Sequence, residues 1–289
     1  MLSINAHTKL CAVIGNPVEH SLSPAIHNAA FQKFGLNYVY LAFRVEDLPG
    51  AVAGMRAFGN LRGFSVTIPH KVGIMPLLDE VEPTAKLIGS VNTIVIEQGK
   101  LIGSNTDASG ALRALKEGGA ALKGRRLLML GSGGAARAIA FALAMEPAAT
   151  RIEGLTILGV LDEERERLAA DLHTKTPLQV DEGPMTDETL REGLRESQVL
   201  VHCTPVGMHP RVKESCVPAK FLEPHLTVMD IVYNPLETQL LHDAKAAGCR
   251  TIRGLEMFLY QAIGQFELWT GQKAPADVMR VVLESSFTR

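Results

Sequence analysis

The sequence lacks the marks of several large protein classes. Its four cysteines, Cys11, Cys203, Cys216 and Cys249, are scattered and form no CxxC pair. That argues against a disulfide framework or a thiolate zinc site and leaves reduced, buried thiols as the expectation. No run of about 18 apolar residues occurs, so no segment is expected to cross a bilayer. Residues 1–9 lack a basic stretch followed by an apolar one, so no signal peptide is expected and the cytoplasm is the expected location. Neither sign of charge is in excess: 29 Lys and Arg face 31 Asp and Glu. This balance gives no electrostatic footprint for nucleic acid, and no basic run suits a membrane surface. What remains is 289 residues, 46% hydrophobic, enough for one large domain or two of medium size.

Apolar runs of strand length alternate with amphipathic stretches of helix length. Residues 9–14, 37–44 and 63–68 read as strands, with helices at 24–34 and 48–58 between them. Residues 91–97 and 100–104 flank Gln98-Gly99, a hairpin signal. A second series opens with a strand at 126–130, a helix at 135–145 and a strand at 155–160, and segments 163–173, 198–203, 227–232 and 238–247 continue it. Such alternation predicts βαβ units and mainly parallel sheets. Two helices, 255–269 and 277–285, then follow with no strand between them, and this tail is expected to return to the first domain.

Residues 127–130 run directly into Gly131-Ser132-Gly133-Gly134-Ala135-Ala136, which fits the dinucleotide fingerprint with Gly131, Gly133 and Ala136 in the small positions. The backbone there must turn tightly and let a pyrophosphate approach, and the N–H groups opening the Ala135 helix then face the anion. A tight strand–helix turn would also use these glycines, but the apolar strand before and the Ala-rich helix after favour the cofactor reading. Cofactor choice falls at Leu158-Gly159-Val160-Leu161-Asp162-Glu163-Glu164-Arg165. A 2′-phosphate needs a cationic clamp, whereas a free ribose hydroxyl pairs with a carboxylate. Three consecutive acids repel the phosphate, so NAD is favoured over NADP, with Asp162 on the ribose. Asp162 lies about 30 residues past Gly131 rather than the usual 20 or so, an excess the loop 146–154 absorbs. A helix cap is the competing explanation of Asp162, and Arg165 is left able to swing in.

The first half carries a polar constellation. In His20-Ser21-Leu22-Ser23-Pro24, Ser23 reads as an N-cap with Pro24 at the first helical position, while Ser21 lacks so simple an explanation. Two hydroxyls before a helix also suit a carboxylate ligand. In Ser65-Val66-Thr67-Ile68-Pro69-His70-Lys71, alternation puts Ser65 and Thr67 on one side and points Val66 and Ile68 into packing. Lys71 follows at the carboxyl end of that strand, where open α/β sheets bind ligands. Asn92-Thr93 and Ser104-Asn105-Thr106-Asp107 add further polar groups, the latter before a helix at 108–115 for which Asp107 also suits as N-cap. Lys71 and Asp107, ending at one cleft, would form an acid–base pair. His70 and His209 sit beside prolines in loops and are expected to be solvated, Met208 and Met257 to pack near cofactor and substrate, and no metal site is expected.

Together these segments resemble the shikimate dehydrogenase family over essentially the whole chain. The resemblance is carried by Ile14-Gly15-Asn16-Pro17 through Ser21-Leu22-Ser23-Pro24, Val66-Thr67-Ile68-Pro69-His70-Lys71, Val91-Asn92-Thr93 and Asn105-Thr106-Asp107. The second half adds the glycine turn, Thr204-Pro205-Val206-Gly207-Met208, Asp230-Ile231-Val232-Tyr233-Asn234-Pro235, and Gly254-Leu255-Glu256-Met257 with Gln261. The resemblance implies an α/β fold of two domains, an N-terminal open α/β sheet domain plus a Rossmann-like dinucleotide-binding domain. Residues 1–107, completed by 254–289, would form the substrate-binding catalytic domain, and 108–253 the dinucleotide-binding one. It implies hydride transfer between NAD or NADP and 3-dehydroshikimate/shikimate or a quinate-like acid, with Lys71 and Asp107 as the acid–base pair. Substrate contacts map to Ser21, Ser23, Ser65, Thr67, Asn92, Asp107, Tyr233 and Gln261. Cofactor contacts map to Gly131, Ser132, Gly133, Gly134, Ala135, Asp162, Thr204, Met208, Gly254 and Met257. Partners would be a small-molecule substrate, neither nucleic acid nor membrane, in a monomer or homodimer.

Two positions depart from the family pattern. Gly159-Val160-Leu161 stands where NADP-using members carry an Asn-Arg-Thr clamp, with Asp162 where NAD-using relatives place an acid, and Ser65 stands where biosynthetic members commonly have asparagine. The competing readings are a methylene-folate-type dehydrogenase and a catalytically silent cofactor-binding paralogue.

Overall fold

A computed structural model describes residues 4–287, so residues 1–3 of the segment read for a leader and residues 288–289 of the tail lie outside it. The chain divides into two compact units: residues up to Thr106 with those from Gln261 onward, and Asp107–Tyr260.

The first unit begins with β1 (Lys9–Gly15), α1 (Ser23–Lys33), β2 (Tyr38–Arg44), α2 (Leu48–Ala57) and β3 (Leu61–Val66). The one-turn α3 (His70–Gly73), β4 (Glu80–Val81), α4 (Pro83–Ile88), β5 (Thr93–Glu97) and β6 (Lys100–Ser104) follow. Strand order in its sheet is β2-β1-β3-β5-β6-β4. β1 is parallel to β2 and β3, but β5 is antiparallel to both β3 and β6, so the sheet is mixed where the alternation predicts a mainly parallel one. The cause is local. Gln98 and Gly99 both take positive φ, 50° and 80°, and a two-residue turn of that kind joins only antiparallel strands. Ile14 pairs with Val66, Ser65 with Thr93, and Thr93 with Ser104. The carboxyl ends of β1, β3 and β6 and the amino end of β5 therefore share one sheet edge.

In the second unit α5 (Thr106–Glu117) leads to β7 (Arg126–Leu130), α6 (Gly134–Ala144), β8 (Gly154–Gly159), α7 (Asp162–Lys175), β9 (Gln179–Pro184) and α8 (Asp187–Glu196). Then come β10 (Val199–His202), β11 (Thr227–Asp230), α9 (Gln239–Ala246) and β12 (Arg250–Ile252). All pairings are parallel, in the order β12-β11-β10-β7-β8-β9. This is a doubly wound sheet whose strand order reverses between β7 and β10, the position where such sheets bind ligands. Three of these elements are hidden from a search for apolar runs. β9 is an edge strand that buries Val180 among polar neighbours, α8 is a charged helix held by a capping box between Thr186 and Thr189, and β12 is short.

α10 (Gly254–Thr270) starts in the second unit and continues in the first, and α11 (Ala276–Ser285) packs against α1. Trp269, fully buried, donates its indole N–H to Ile94 O at 2.9 Å, and Arg62 donates to Trp269 O at 2.8 Å. A side chain at Gly63 would collide with that indole and with Ile94 O. The tail is thus pinned to the sheet across β3 and β5.

Candidate active site

The shared edge of the first sheet gathers much of the predicted substrate set. Thr67 follows β3 and donates its N–H to Ile14 O at 2.9 Å. Lys71 lies in α3 and is partly exposed, and its carbonyl accepts from Val91 N at 2.9 Å. The next residue, Asn92, is buried and turns its amide to the start of α5: Oδ1 accepts from Thr106 N at 2.7 Å and Nδ2 donates to Thr106 Oγ1 at 3.1 Å. Asp107, next in the chain and assigned to the other unit, lies in the first turn of α5 and is also buried. Gln261 is buried in α10.

Several local expectations are corrected. α1 starts at Ser23 with Leu22 in the cap position, so Ser23 is not a side-chain N-cap. Ser21 instead supplies the local bond, its Oγ accepting from Ser23 N at 3.3 Å, while Ser23 itself is buried. β3 ends at Val66, and Ile68 is 70% exposed rather than packed, because the chain has already left the sheet. His70 is buried, not solvated, with Nε2 2.9 Å from Val45 O, whereas His209 is exposed as expected. α5 begins at Thr106, so Asp107 sits inside the helix instead of capping it.

Behind the edge runs a buried hydrogen-bond relay. Ser65 Oγ donates to Gln265 Oε1 at 2.9 Å, which leaves Tyr40 O–H as the donor in its 2.7 Å bond to Ser65. Gln265 Nε2 donates to Thr93 Oγ1 at 3.1 Å, and Thr93 Oγ1 donates to Asn92 Oδ1 at 2.8 Å. Ser65 and Asn92 are thus tied to one another through Thr93, part of the Asn92-Thr93 cluster, and through Gln265, which the sequence reading does not single out. Gln265 stands one helical turn after Gln261, a spacing that puts both on one face and was the available signal. Burial raises the Tyr40 phenol well above its ordinary range, keeping it protonated as donor. His27 stacks on Tyr40 with centroids 4.6 Å apart, and burial pushes its pKa down to about 3, so it is neutral.

In the second unit Gly131 closes the turn after β7 with φ 101°, donating to Leu158 O at 2.7 Å. A Cβ there would come within 3.1 Å of Cys203 O and Thr204 Cγ2, so the turn meets the chain leaving β10 at the reversal point. α6 starts at Gly134 with Gly133 as N-cap and no side-chain cap. Added Cβ atoms at Gly133 or Gly134 would meet nothing within 4 Å. Uncapped N–H groups behind an open glycine surface fit a dinucleotide pyrophosphate. Ser132 and Ala135 flank this surface and are partly exposed. Gly254 approaches Ile231 and Val232 closely, Tyr233 packs on Phe258 with centroids 4.9 Å apart, and Met257 is buried. Met208 is largely exposed.

The Asp162 region differs from expectation. Val160 and Leu161 project past β8 into solvent. Asp162 opens α7 without capping it, and its carboxylate meets Arg165 Nη1 at 2.6 Å. Arg165 is buried and also donates to Gly159 O at 3.2 Å and to Glu182, so it is held rather than swinging. Beside the Thr204 loop, His202 and Asp230 pair in register on β10 and β11, Nδ1 to Oδ1 2.9 Å, with Nε2 bonded to Thr204 Oγ1. Burial opposes charge on His202, but Asp230, and Cys216 beside it, prevail and raise its pKa to about 10. Asp230 opens a motif read in the sequence, but nothing there marks His202 as its partner, since the register joining them is tertiary. Among the described residues no His, Cys, Asp and Glu cluster suits a metal, no helix is long and apolar enough to cross a membrane, and the cysteines are free.

Comparison with known proteins agrees with this geometry. Residues 13–94 match the shikimate dehydrogenase substrate binding domain and residues 254–284 the shikimate 5'-dehydrogenase C-terminal domain. The shikimate dehydrogenase (NADP(+)) of Moorella thermoacetica is 45% identical over 99% of this chain and 96% of its own. The crystal structure of shikimate 5-dehydrogenase from Listeria monocytogenes, in complex with shikimate and NAD, superposes with a TM-score of 0.91 at 40% identity, covering 98% of this chain and 99% of that one. Quinate dehydrogenase from Corynebacterium glutamicum, in complex with NAD, gives 0.89 at 29% identity, covering 96% and 99%. With both family domains matched and a relative this similar along nearly its whole length, the chain belongs to the shikimate dehydrogenase family.

Proposed function

We propose that the chain is an oxidoreductase moving hydride reversibly between a nicotinamide cofactor and 3-dehydroshikimate/shikimate or a quinate-like cyclic hydroxy acid. The first unit binds the ring acid and the second the dinucleotide. One observation carries this reading: the uncapped start of α6, open in front of Gly133 and Gly134, lies at the strand-order reversal of a parallel sheet. Gly131, Ser132, Gly133, Gly134 and Ala135 would hold the pyrophosphate, with Thr204, Met208, Gly254 and Met257 along the rest of the cofactor.

A bound nicotinamide supplies or accepts the hydride. The protein must then move a proton at the ring oxygen. Lys71, as an ammonium, donates that proton and polarises the carbonyl during reduction, and as a neutral amine it accepts one during oxidation. Asp107 binds a ring hydroxyl. Ser21 and Ser23 receive the substrate carboxylate, and Thr67, Asn92, Tyr233 and Gln261 read the ring. Ser65 acts through the relay, orienting Gln265 and, through Thr93, the Asn92 amide.

NAD is the favoured cofactor, supported by the exposed Asp162 past β8 and by an Arg165 already engaged with carboxylates. Initial rates with shikimate and quinate, each against NAD and NADP, test the assignment. Turnover of shikimate or quinate with NAD exceeding NADP is expected. Absence of turnover in every combination would remove the reading.

A further inference from the structure

Arg165 lies in the first turn of α7, just past the end of β8 where dinucleotide-binding sheets read the ribose, yet its surroundings turn its charge elsewhere. A Cβ on Gly159 would touch both Ser132 Oγ, at 3.4 Å, and Arg165 Cβ, at 3.9 Å, so the arginine stem lies beside the glycine turn. Its guanidinium is engaged by the end of β8, by β9 and by the first residue of α7. Nε donates to Glu182, while Nη1 donates to Asp162 at 2.6 Å and to Gly159 O at 3.2 Å. Nη2 lies 4.0 Å from Glu166. The arginine side chain is 6% exposed and that of Glu182 31%, whereas Asp162 is 72% exposed. Glu182 is placed by the β8–β9 ladder, opposite Ile157, and not by a mobile loop.

We propose that Glu182 locks Arg165 away from the cofactor and, through it, orients Asp162, so that the second unit rejects a 2′-phosphate and reads the free ribose hydroxyls. This rests on reading the second unit as a dinucleotide site. To reach a phosphate, Arg165 would have to leave two carboxylates, one of them partly buried, and removing one partner of such a pair is costly because the other is left uncompensated. A phosphate arriving without the arginine would meet the acids Asp162, Glu163 and Glu164 at the start of α7. Glu182 and Arg165 are therefore positioning residues for cofactor choice. Glu182 lies in an edge strand that no apolar pattern marks.

Calorimetric titration with NADH, NADPH and 2′,5′-ADP tests the lock, together with kcat and KM for both cofactors with shikimate. The wild type should bind NADH more tightly than NADPH. Glu182→Gln should release Arg165 and raise affinity for NADPH and 2′,5′-ADP by about 10-fold, the worth of one new charged hydrogen bond, with the change in KM more than in kcat. Adding Arg165→Met should abolish that gain. A gain that survives in the double variant would mean only a general loss of negative charge and would overturn the lock. If Glu182→Gln fails to fold, Asp162→Asn relieves the exposed side of the same guanidinium and should also shift the ratio toward NADPH; an unchanged ratio overturns the proposal. A wild type that binds both nucleotides equally, or NADPH more tightly, removes the lock alone. One that binds neither removes the dinucleotide reading and the lock with it.

Discussion

At the scale of single residues, Lys71 is the group on which turnover depends under the proposed chemistry. Lys71→Ala should lower kcat by about 10²–10⁴-fold, the usual worth of one acid–base group, with little change in nucleotide affinity by calorimetry. Unchanged turnover would take Lys71 out of the mechanism. The relay makes a different kind of prediction, about stability. Ser65→Ala removes the buried hydroxyl to which both Tyr40 O–H and Gln265 Oε1 are bonded, which costs about 1–3 kcal/mol. Tyr40→Phe removes the donor itself and leaves Ser65 still bonded to Gln265, so it should cost about 1 kcal/mol. Urea denaturation of the two variants should rank Ser65→Ala as the less stable, and the reverse order would mean that the relay is not satisfied as described.

At the scale of elements, the turn between β7 and α6 combines a conformational demand with a spatial one. Gly131 has φ 101°, and any Cβ there would press on Cys203 O. Gly131→Ala should therefore destabilise the second unit by about 1–3 kcal/mol and weaken binding of either nucleotide. Gly134→Ala, at an open position in the helical start of α6, should preserve stability and alter nucleotide binding alone. Thermal melts of both variants with and without NADH separate the two effects. The glycine turn was legible in sequence because its requirement is local: strand, turn and helix are consecutive. The hairpin at Gln98-Gly99 was legible for the same reason. Ser21 and Ser23 were not, since which of two nearby hydroxyls makes the local bond depends on where α1 begins, and that is decided by packing.

At the scale of the molecule, each unit carries a buried histidine, and the two give stability opposite dependences on pH. His27 has a folded pKa of about 3 against 6.5 ordinarily, with burial as the cause. Above 6.5 both states are neutral and its contribution is complete. Between 6.5 and 3 only the unfolded chain takes the proton, so stability falls with pH by up to about 1.4 kcal/mol per unit. His202 is raised to about 10, its buried imidazolium held by Asp230 against the cost of burial. Its contribution is complete below 6.5 and is lost as pH rises through 10, because only the folded chain then retains the proton. Trp269, the single tryptophan, reports the first unit. Its fluorescence in urea titrations should show the acid limb, and His27→Phe should flatten that limb. Persistence of the full acid limb in the variant would assign it to other groups.

The sequence by itself determined the features whose physics is short-ranged: the alternation of strand and helix, the two-residue hairpin, the glycine turn at Gly131, and motifs enough for the family. Tertiary structure alone decided the features that need residues distant in the chain. The strand order that places the Gly131 turn against Thr204, the register that sets His202 beside Asp230, the path from Tyr40 through Gln265 to Asn92, and the hold of Glu182 on Arg165 are of this kind. The reason is that a lone residue type carries no record of its partner. Whether an arginine is a free clamp or a bound one depends on a carboxylate that the sheet, not the neighbouring sequence, brings to it.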